Sequence, residues 1–197
     1  MVYGHKDGLA LTYDVIVPEG HTNGAGVAFM VSGGWVSEWE DPADLGATPL
    51  LRTLTERGFV LYLVRHGSSP RYKVPDAIDD ARLAVRRIRE RAVDLRGWSG
   101  ANQRFPALDF DEEREIGSSP LLFATEDDPP TLLMHGDEDE LVAVAHSQQM
   151  FDALERAGVG ADLVVFSGAG HDFTGDDLAR SSSLAADWFE RHLVARR

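Results

Sequence analysis

Hydrophobic positions along the chain fall into short apolar runs separated by segments with helical spacing. Residues 26–32 and 59–65 are almost continuously apolar, which is typical of parallel strands covered by helices on both faces, so we expect both to be central strands. Residues 9–17 alternate between apolar and polar side chains, and this pattern predicts an edge strand. Shorter apolar runs at residues 131–134 and 162–166 predict two further strands. The sequence therefore predicts about five strands.

Four segments have the apolar periodicity of amphipathic helices. They are residues 41–57, 76–91, 144–157 and 176–194. Glycine follows the first and the third of them, where it commonly ends a helix. Because strands and helices alternate, we expect an α/β fold with three layers and a doubly wound, mostly parallel sheet. A length of 197 residues favours a single domain over residues 1–197.

The regular pattern fails over residues 92–130, where glycine, proline, asparagine and acidic residues are scattered. An irregular stretch of this length is unusual inside a compact domain. We interpret it as a functional or cap-like loop, or as the place where a segment of the chain is missing.

Composition excludes several classes of function. The net charge is −14, from 33 acidic and 19 basic residues, and such a surface repels nucleic acid and anionic membranes. The chain has no cysteine, which excludes disulfides, thiolate metal sites and a cysteine nucleophile. It shows neither a signal-peptide pattern nor an apolar run long enough for a membrane span. We therefore expect a cytoplasmic protein, although a mature secreted form would have the same sequence.

Polar and glycine-rich turns follow four of the predicted strands. In doubly wound sheets, ligands bind beyond the carboxyl ends of the strands, so these turns are the first place to look for chemistry. They are Ser32-Gly33-Gly34-Trp35, His66-Gly67-Ser68-Ser69-Pro70, His135-Gly136-Asp137-Glu138-Asp139 and Gly170-His171-Asp172-Phe173.

The turns resemble those of the α/β-hydrolase superfamily, in particular the carboxylesterase branch related to feruloyl esterases, dienelactone hydrolases and prolyl-oligopeptidase-type peptidases. The resemblance covers most of the chain. It implies that Asp139, in a His-Gly-x-x-Asp-x-x-Val motif, is the acid of a catalytic triad and that His171, in Gly-His-x-Phe, is its histidine. It also implies a small-molecule ester as substrate and no cofactor.

The glycine-rich turn before Trp35 resembles the oxyanion loop of the same family. The resemblance implies that backbone N–H groups at Gly33 and Gly34 stabilise a developing oxyanion, and that Trp35 belongs to the same oxyanion and substrate-binding loop. Val31 and Ser32 occupy the first two places of the commoner His-Gly-Gly-Gly motif. An ordinary tight turn remains the alternative interpretation.

The nucleophile is where the chain departs from the family. The Gly-x-Ser-x-Gly pentapeptide of the family's nucleophile turn is not found in the sequence, and the nearest match centres on Ser99, in Gly97-Trp98-Ser99-Gly100-Ala101. Alignment with the family's pattern indicates an internal deletion in the irregular segment 92–130 and a shortened sheet. Loss of central strands would leave an apolar sheet edge unless the flanking strands pair directly, and such an edge favours a homodimer.

Two functions remain open at this point. One is hydrolysis of carboxylic esters by Asp139 and His171, with Ser99 or a directly activated water as the nucleophile. The alternative is a non-catalytic, internally deleted scaffold with a small-molecule cleft. The consecutive acidic residues 137–140 do not predict a metal site, because neighbouring acids on a turn rarely converge on one ion.

Overall fold

The computed structural model describes residues 1–91 and 120–194 of the chain, which form two compact units. Residues 1–91 are called here the N-terminal unit and residues 120–194 the C-terminal unit. Within these two ranges, no helix is both long enough and apolar enough to cross a membrane.

The N-terminal unit contains a four-stranded sheet with the strand order β1-β2-β4-β3. Its elements are β1 Val2–Lys6, β2 Leu9–Ile16, β3 Gly26–Met30, α1 Pro42–Gly46, α2 Pro49–Glu56, β4 Val60–Val64 and α3 Val74–Arg91. The strands β3 and β4 pair in parallel, whereas β2 is antiparallel to both of its neighbours. The predicted crossover between two parallel strands is therefore present.

The first strand was not predicted, and it changes the place of the second. Asp7 and Gly8 both have positive φ, 48° and 82°, and such Asp-Gly turns suit two-residue hairpins. The hairpin places β2 between β1 and β4, so the expectation that residues 9–17 form an edge strand is wrong. Conversely, β3 lies at the edge of this sheet as the described residues form it, although a central position was expected.

The segment predicted as one helix over residues 41–57 forms two helices. The Asp41 side chain caps the first by accepting the N–H of Ala43, and Pro49 occupies the first turn of the second. Proline lacks an N–H and disrupts a helix that precedes it, but it fits the first turn of a new one. The break after Gly46 therefore follows from Pro49.

Helices cover the inner strand β4 of the N-terminal unit. The cluster of buried side chains on the sheet packs against Ala84 and Ile88 of α3. The helix α2 also packs against β4, and its Leu51 and Leu54 are almost fully buried. Burying a leucine side chain contributes about 1.5–3 kcal/mol. This packing explains the continuous apolar run at residues 59–65.

The C-terminal unit is a parallel strand pair with two helices. Its elements are a 3₁₀ turn at Pro120–Leu122, β5 Thr131–Gly136, α4 Ala145–Arg156, β6 Ala161–Phe166 and α5 Gly175–Leu193. The strands β5 and β6 pair in parallel from Thr131↔Ala161 to Gly136↔Phe166, so their carboxyl ends lie side by side. The described residues thus contain six strands, one more than expected because of the hairpin.

Candidate active site

Asp139 lies in the turn that follows β5, and its carboxylate is held from several directions. Its Oδ1 accepts the backbone N–H groups of Leu141 and Val142, both at 2.8 Å. Its Oδ2 lies 2.8 Å from Nδ1 of His171. Only 4% of the side chain is exposed. The turn therefore fixes the carboxylate toward the histidine.

His171 lies in the corresponding turn after β6, and the contact with Asp139 expected from the sequence is present. Because a carboxylate only accepts hydrogen bonds, Nδ1 carries the proton and Nε2 is the basic atom of the neutral ring. The His171 side chain is 48% exposed. The Phe173 ring packs on that of buried Phe166, with centroids 4.5 Å apart. The histidine turn thus presents an exposed imidazole, and the contact between Phe173 and Phe166 anchors the turn to the end of β6.

Further hydrogen bonds join the two turns. The Asp137 carboxylate accepts the N–H of Gly168 at 2.6 Å, and the N–H of Glu138 donates to the carbonyl of Ala169 at 3.0 Å. Gly136 directly precedes Asp137, and a Cβ atom at Gly136 would overlap the carbonyl oxygen of Ala169. Glycine is therefore required here for the close approach of the two backbones.

His135 is a residue of this site whose contacts were not predicted beyond a general role in a hydrogen-bonded turn. Its Nε2 lies 3.1 Å from Oδ2 of Asp139 and 2.8 Å from the carbonyl oxygen of Val142. Both partners are acceptors, so Nε2 is protonated, and Nδ1 can accept the hydroxyl of Ser147 at 2.7 Å. Two imidazoles thus face one carboxylate oxygen. The signal in the sequence was the His-x-x-x-Asp spacing.

The pKa of the Asp139 carboxyl is lowered from its ordinary value. Burial alone raises this pKa, but hydrogen bonds from the backbone N–H of Val142, from His171 and from the backbone N–H of Leu141 outweigh burial. The carboxylate is therefore the form that the folded protein favours.

This lowered pKa predicts a pH dependence of stability. The carboxylate contributes stability above the ordinary pKa of 3.8, and the contribution is lost as the pH falls through the lower value of the folded state. We expect the difference in unfolding free energy between the wild type and Asp139→Asn to shrink as the pH falls below that ordinary value. Urea unfolding from about pH 5 to about pH 2 measures it, and a constant difference would contradict the prediction.

The glycine-rich turn of the N-terminal unit is a tight hairpin. Gly33 and Val36 exchange backbone hydrogen bonds of 2.9 and 3.0 Å, and φ is positive at Gly34, 56°, and at Trp35, 64°. The N–H of Gly33 is therefore engaged within the turn. Of the residues expected in an oxyanion loop, Gly34 and Trp35 retain their N–H groups as candidate donors.

Ser99 lies outside the described residues, as does most of the segment 92–130. Among the described residues, no group of three histidine, aspartate or glutamate side chains is arranged to hold a metal ion.

Comparison with known proteins identifies similar sequences and structures. The model of the prolyl oligopeptidase family matches residues 101–196, a range that contains both Asp139 and His171. An uncharacterized peptidase of Bacillus subtilis, YuxL, is 33% identical over 87 residues, which are 42% of this chain and 13% of that protein. The chain therefore matches only a small part of the length of that peptidase.

Similarity of structure extends over the whole chain. The apo form of Thermogutta terrifontis esterase 2 has a TM-score of 0.76 at 22% identity, covering 100% of this chain and 96% of the esterase. The same esterase phosphorylated by paraoxon has a TM-score of 0.77 at 22% identity, with 100% and 95% covered. The predicted α/β fold is therefore confirmed. The chain has the α/β-hydrolase type of fold, and its residues 101–196 are similar to the prolyl oligopeptidase family.

Proposed function

We propose that the chain hydrolyses carboxylic esters with Asp139 and His171 as its acid and base. The observation that carries this proposal is the 2.8 Å hydrogen bond between His171 Nδ1 and an Asp139 carboxylate that two backbone N–H groups hold in place. This arrangement is the one that general-base catalysis requires, because the carboxylate fixes the imidazole tautomer and stabilises the imidazolium.

The chemistry assigns a role to each group. His171 Nε2 takes the proton of the nucleophile as it attacks the ester carbonyl, and then returns it to the leaving alcohol. The nucleophile is Ser99 or a water molecule activated by the same imidazole.

Short-chain esters are the proposed substrates. Thermogutta terrifontis esterase 2, whose fold this chain shares, has been observed with propionate bound and phosphorylated by paraoxon. These ligands are a short carboxylate and an organophosphate that attaches covalently to that esterase. We therefore choose 4-nitrophenyl propionate as the test substrate.

The test compares ester turnover in the wild type and in His171→Ala. We expect saturable hydrolysis of 4-nitrophenyl propionate that falls to the background rate in His171→Ala, because the base is then absent. His146→Ala is the matched control, since His146 is an exposed histidine of the same unit, and it should retain full turnover. Turnover no faster than exposed histidines provide, and equal in wild type and His171→Ala, would contradict the proposal and favour the non-catalytic scaffold.

Ser99→Ala then decides the nucleophile. If Ser99 forms an acyl-enzyme, its loss should be as severe as that of His171, because members of one catalytic unit fail together, and the wild type should show a burst of nitrophenol. If water attacks directly, Ser99→Ala should keep the wild-type rate and no burst should appear.

A further inference from the structure

A serine and a histidine outside the Asp139 site form a second close pair. The Oγ of Ser32 lies 2.8 Å from Nε2 of His66. Both residues belong to the N-terminal unit, and neither has a role in the function proposed above. The pair has the hydrogen bond that joins nucleophile and base in hydrolytic enzymes.

The pairing of β3 with β4 explains why these residues meet. The two strands are parallel and in register, with Met30 opposite Val64. Val31 continues the pairing by donating its N–H to the carbonyl of Val64 at 2.9 Å. Ser32 and His66 lie two residues beyond the last registered pair on their strands. The register therefore brings them to the same carboxyl edge of the sheet.

The imidazole of His66 has the tautomer that a base requires. Its Nδ1 lies 2.8 Å from the carbonyl oxygen of Gly67, which can only accept, so Nδ1 carries the proton. Nε2 therefore has the free lone pair and accepts the Ser32 hydroxyl. The carbonyl of Gly67 thus orients this ring as the Asp139 carboxylate orients His171.

The turn that carries this carbonyl is itself anchored. The N–H of Gly67 donates to the Asp80 carboxylate at 2.9 Å, and Asp80 pairs with Lys6 at 2.9 Å. A Cβ atom at Gly67 would lie 2.5 Å from the Tyr72 ring, so the turn packs closely on α3 and the residues before it. These contacts make Gly67 and Asp80 positioning residues for His66.

Accessibility differs between the two partners in the way that nucleophilic catalysis needs. Ser32 is exposed, whereas only 6% of His66 is exposed. The hydroxyl can therefore meet a small electrophile while the ring that polarises it stays fixed and largely shielded from water.

We propose that Ser32 is a nucleophile activated by His66, and that it reacts with small carboxylic esters and fluorophosphonates. Oγ bonds to the ester carbonyl carbon as its proton passes to His66 Nε2. The bond to the alcohol oxygen then breaks, and the alcohol leaves with that proton. Water attacks the acyl-serine, giving its proton to Nε2, and release of the carboxylic acid regenerates Ser32. The net reaction consumes one ester and one water and yields one acid and one alcohol. Because this turnover would persist in His171→Ala, the effects of substitutions at Asp139, His171 and Ser99 on ester hydrolysis are measured in a Ser32→Ala background.

Labelling with a fluorophosphonate probe tests the pair in the native chain. Peptide mass spectrometry should locate an adduct on Ser32 that is absent in Ser32→Ala and forms about 100-fold more slowly in His66→Gln. The control His171→Ala should keep the full labelling rate at Ser32, because the two sites share no residue. The absence of an adduct on Ser32, or equal rates in wild type and a folded His66→Gln, would overturn the proposal. An adduct on Ser99 that requires His171 bears on the function proposed above and not on this pair.

Single-cysteine variants provide a test that does not depend on whether His66→Gln folds. The chain contains no cysteine, so Ser32→Cys and Ser183→Cys each carry one thiol, the second at an exposed position of α5. A neighbouring imidazole stabilises the thiolate and lowers the thiol pKa, with a partial loss of nucleophilicity. Iodoacetamide should alkylate Ser32→Cys about tenfold faster than Ser183→Cys at about pH 6. Equal rates and identical pH profiles would overturn the proposal.

Discussion

Replacing Asp139 by asparagine is expected to reduce kcat/KM for ester hydrolysis by about 10³- to 10⁴-fold while the C-terminal unit stays folded. In the variant, the amide oxygen can still accept the backbone N–H groups of Leu141 and Val142, which donate to Oδ1 of Asp139 in the wild type. The amide NH₂ then faces His171 Nδ1 and donates to it, so the ring proton moves to Nε2. That atom can no longer act as the base. The expected loss corresponds to about 4–5.5 kcal/mol of transition-state stabilisation.

Asp137→Asn is the matched control for this prediction. Asp137 lies in the same turn and is exposed, and an amide oxygen can replace its carboxylate as the acceptor of the Gly168 N–H. Steady-state kinetics with 4-nitrophenyl propionate should therefore give nearly the wild-type kcat/KM for Asp137→Asn. Similar losses in both variants would indicate that the negative charge of the turn matters and not the imidazole tautomer.

The second large effect is expected at Gly136, where alanine should destabilise the C-terminal unit by about 3 kcal/mol. Its Cβ would overlap the carbonyl oxygen of Ala169 and lie 2.5 Å from that of Gly170. Both are backbone atoms, so relief requires the histidine turn to move away from the acid turn. Thermal unfolding should show a decrease in Tm of about 10 °C, and ester hydrolysis should fall even below the unfolding transition.

Gly160→Ala controls for the general effect of removing a glycine from this unit. A Cβ at Gly160 would have no atom within 4 Å, so the unfolding free energy should change by less than about 1 kcal/mol. Equal Tm values for Gly136→Ala and Gly160→Ala would show that the two turns separate easily. The close approach of the two turn backbones would then be unnecessary for the hydrogen bond between Asp139 and His171.

The sequence pattern that indicates burial on both faces of a strand is confirmed for residues 59–65 but not for residues 26–32, whose strand β3 lies at the edge of the sheet that the described residues form. The apolar run at residues 59–65 is the inner strand β4, and the parallel pairs β3–β4 and β5–β6 are both present. The placement of Asp139 and His171 at neighbouring strand ends followed from the parallel order of β5 and β6. The first hairpin was missed because its strand is short, although Asp7-Gly8 marked the turn.

Contacts within turns were harder to predict, because backbone groups compete for the same partners. A glycine-rich turn at Gly33 suggests free N–H groups, but the chain folds back and Val36 takes one of them. The Ser32–His66 hydrogen bond depends on the register of two strands, to within one residue. The sequence pattern specifies neither contact. The first depends on how the chain folds back after Gly33, and the second depends on how β3 pairs with β4.

The partners described for the Asp139 carboxylate all lie between His135 and His171, within one strand-helix-strand stretch. The proposed acid and its proposed base are thus encoded by fewer than forty consecutive residues. Insertions, deletions or shuffling of exons or gene fragments elsewhere in the chain leave this coding block whole. A lineage can therefore exchange nucleophiles and pocket walls while it inherits the proposed acid and base together, as one segment of the gene.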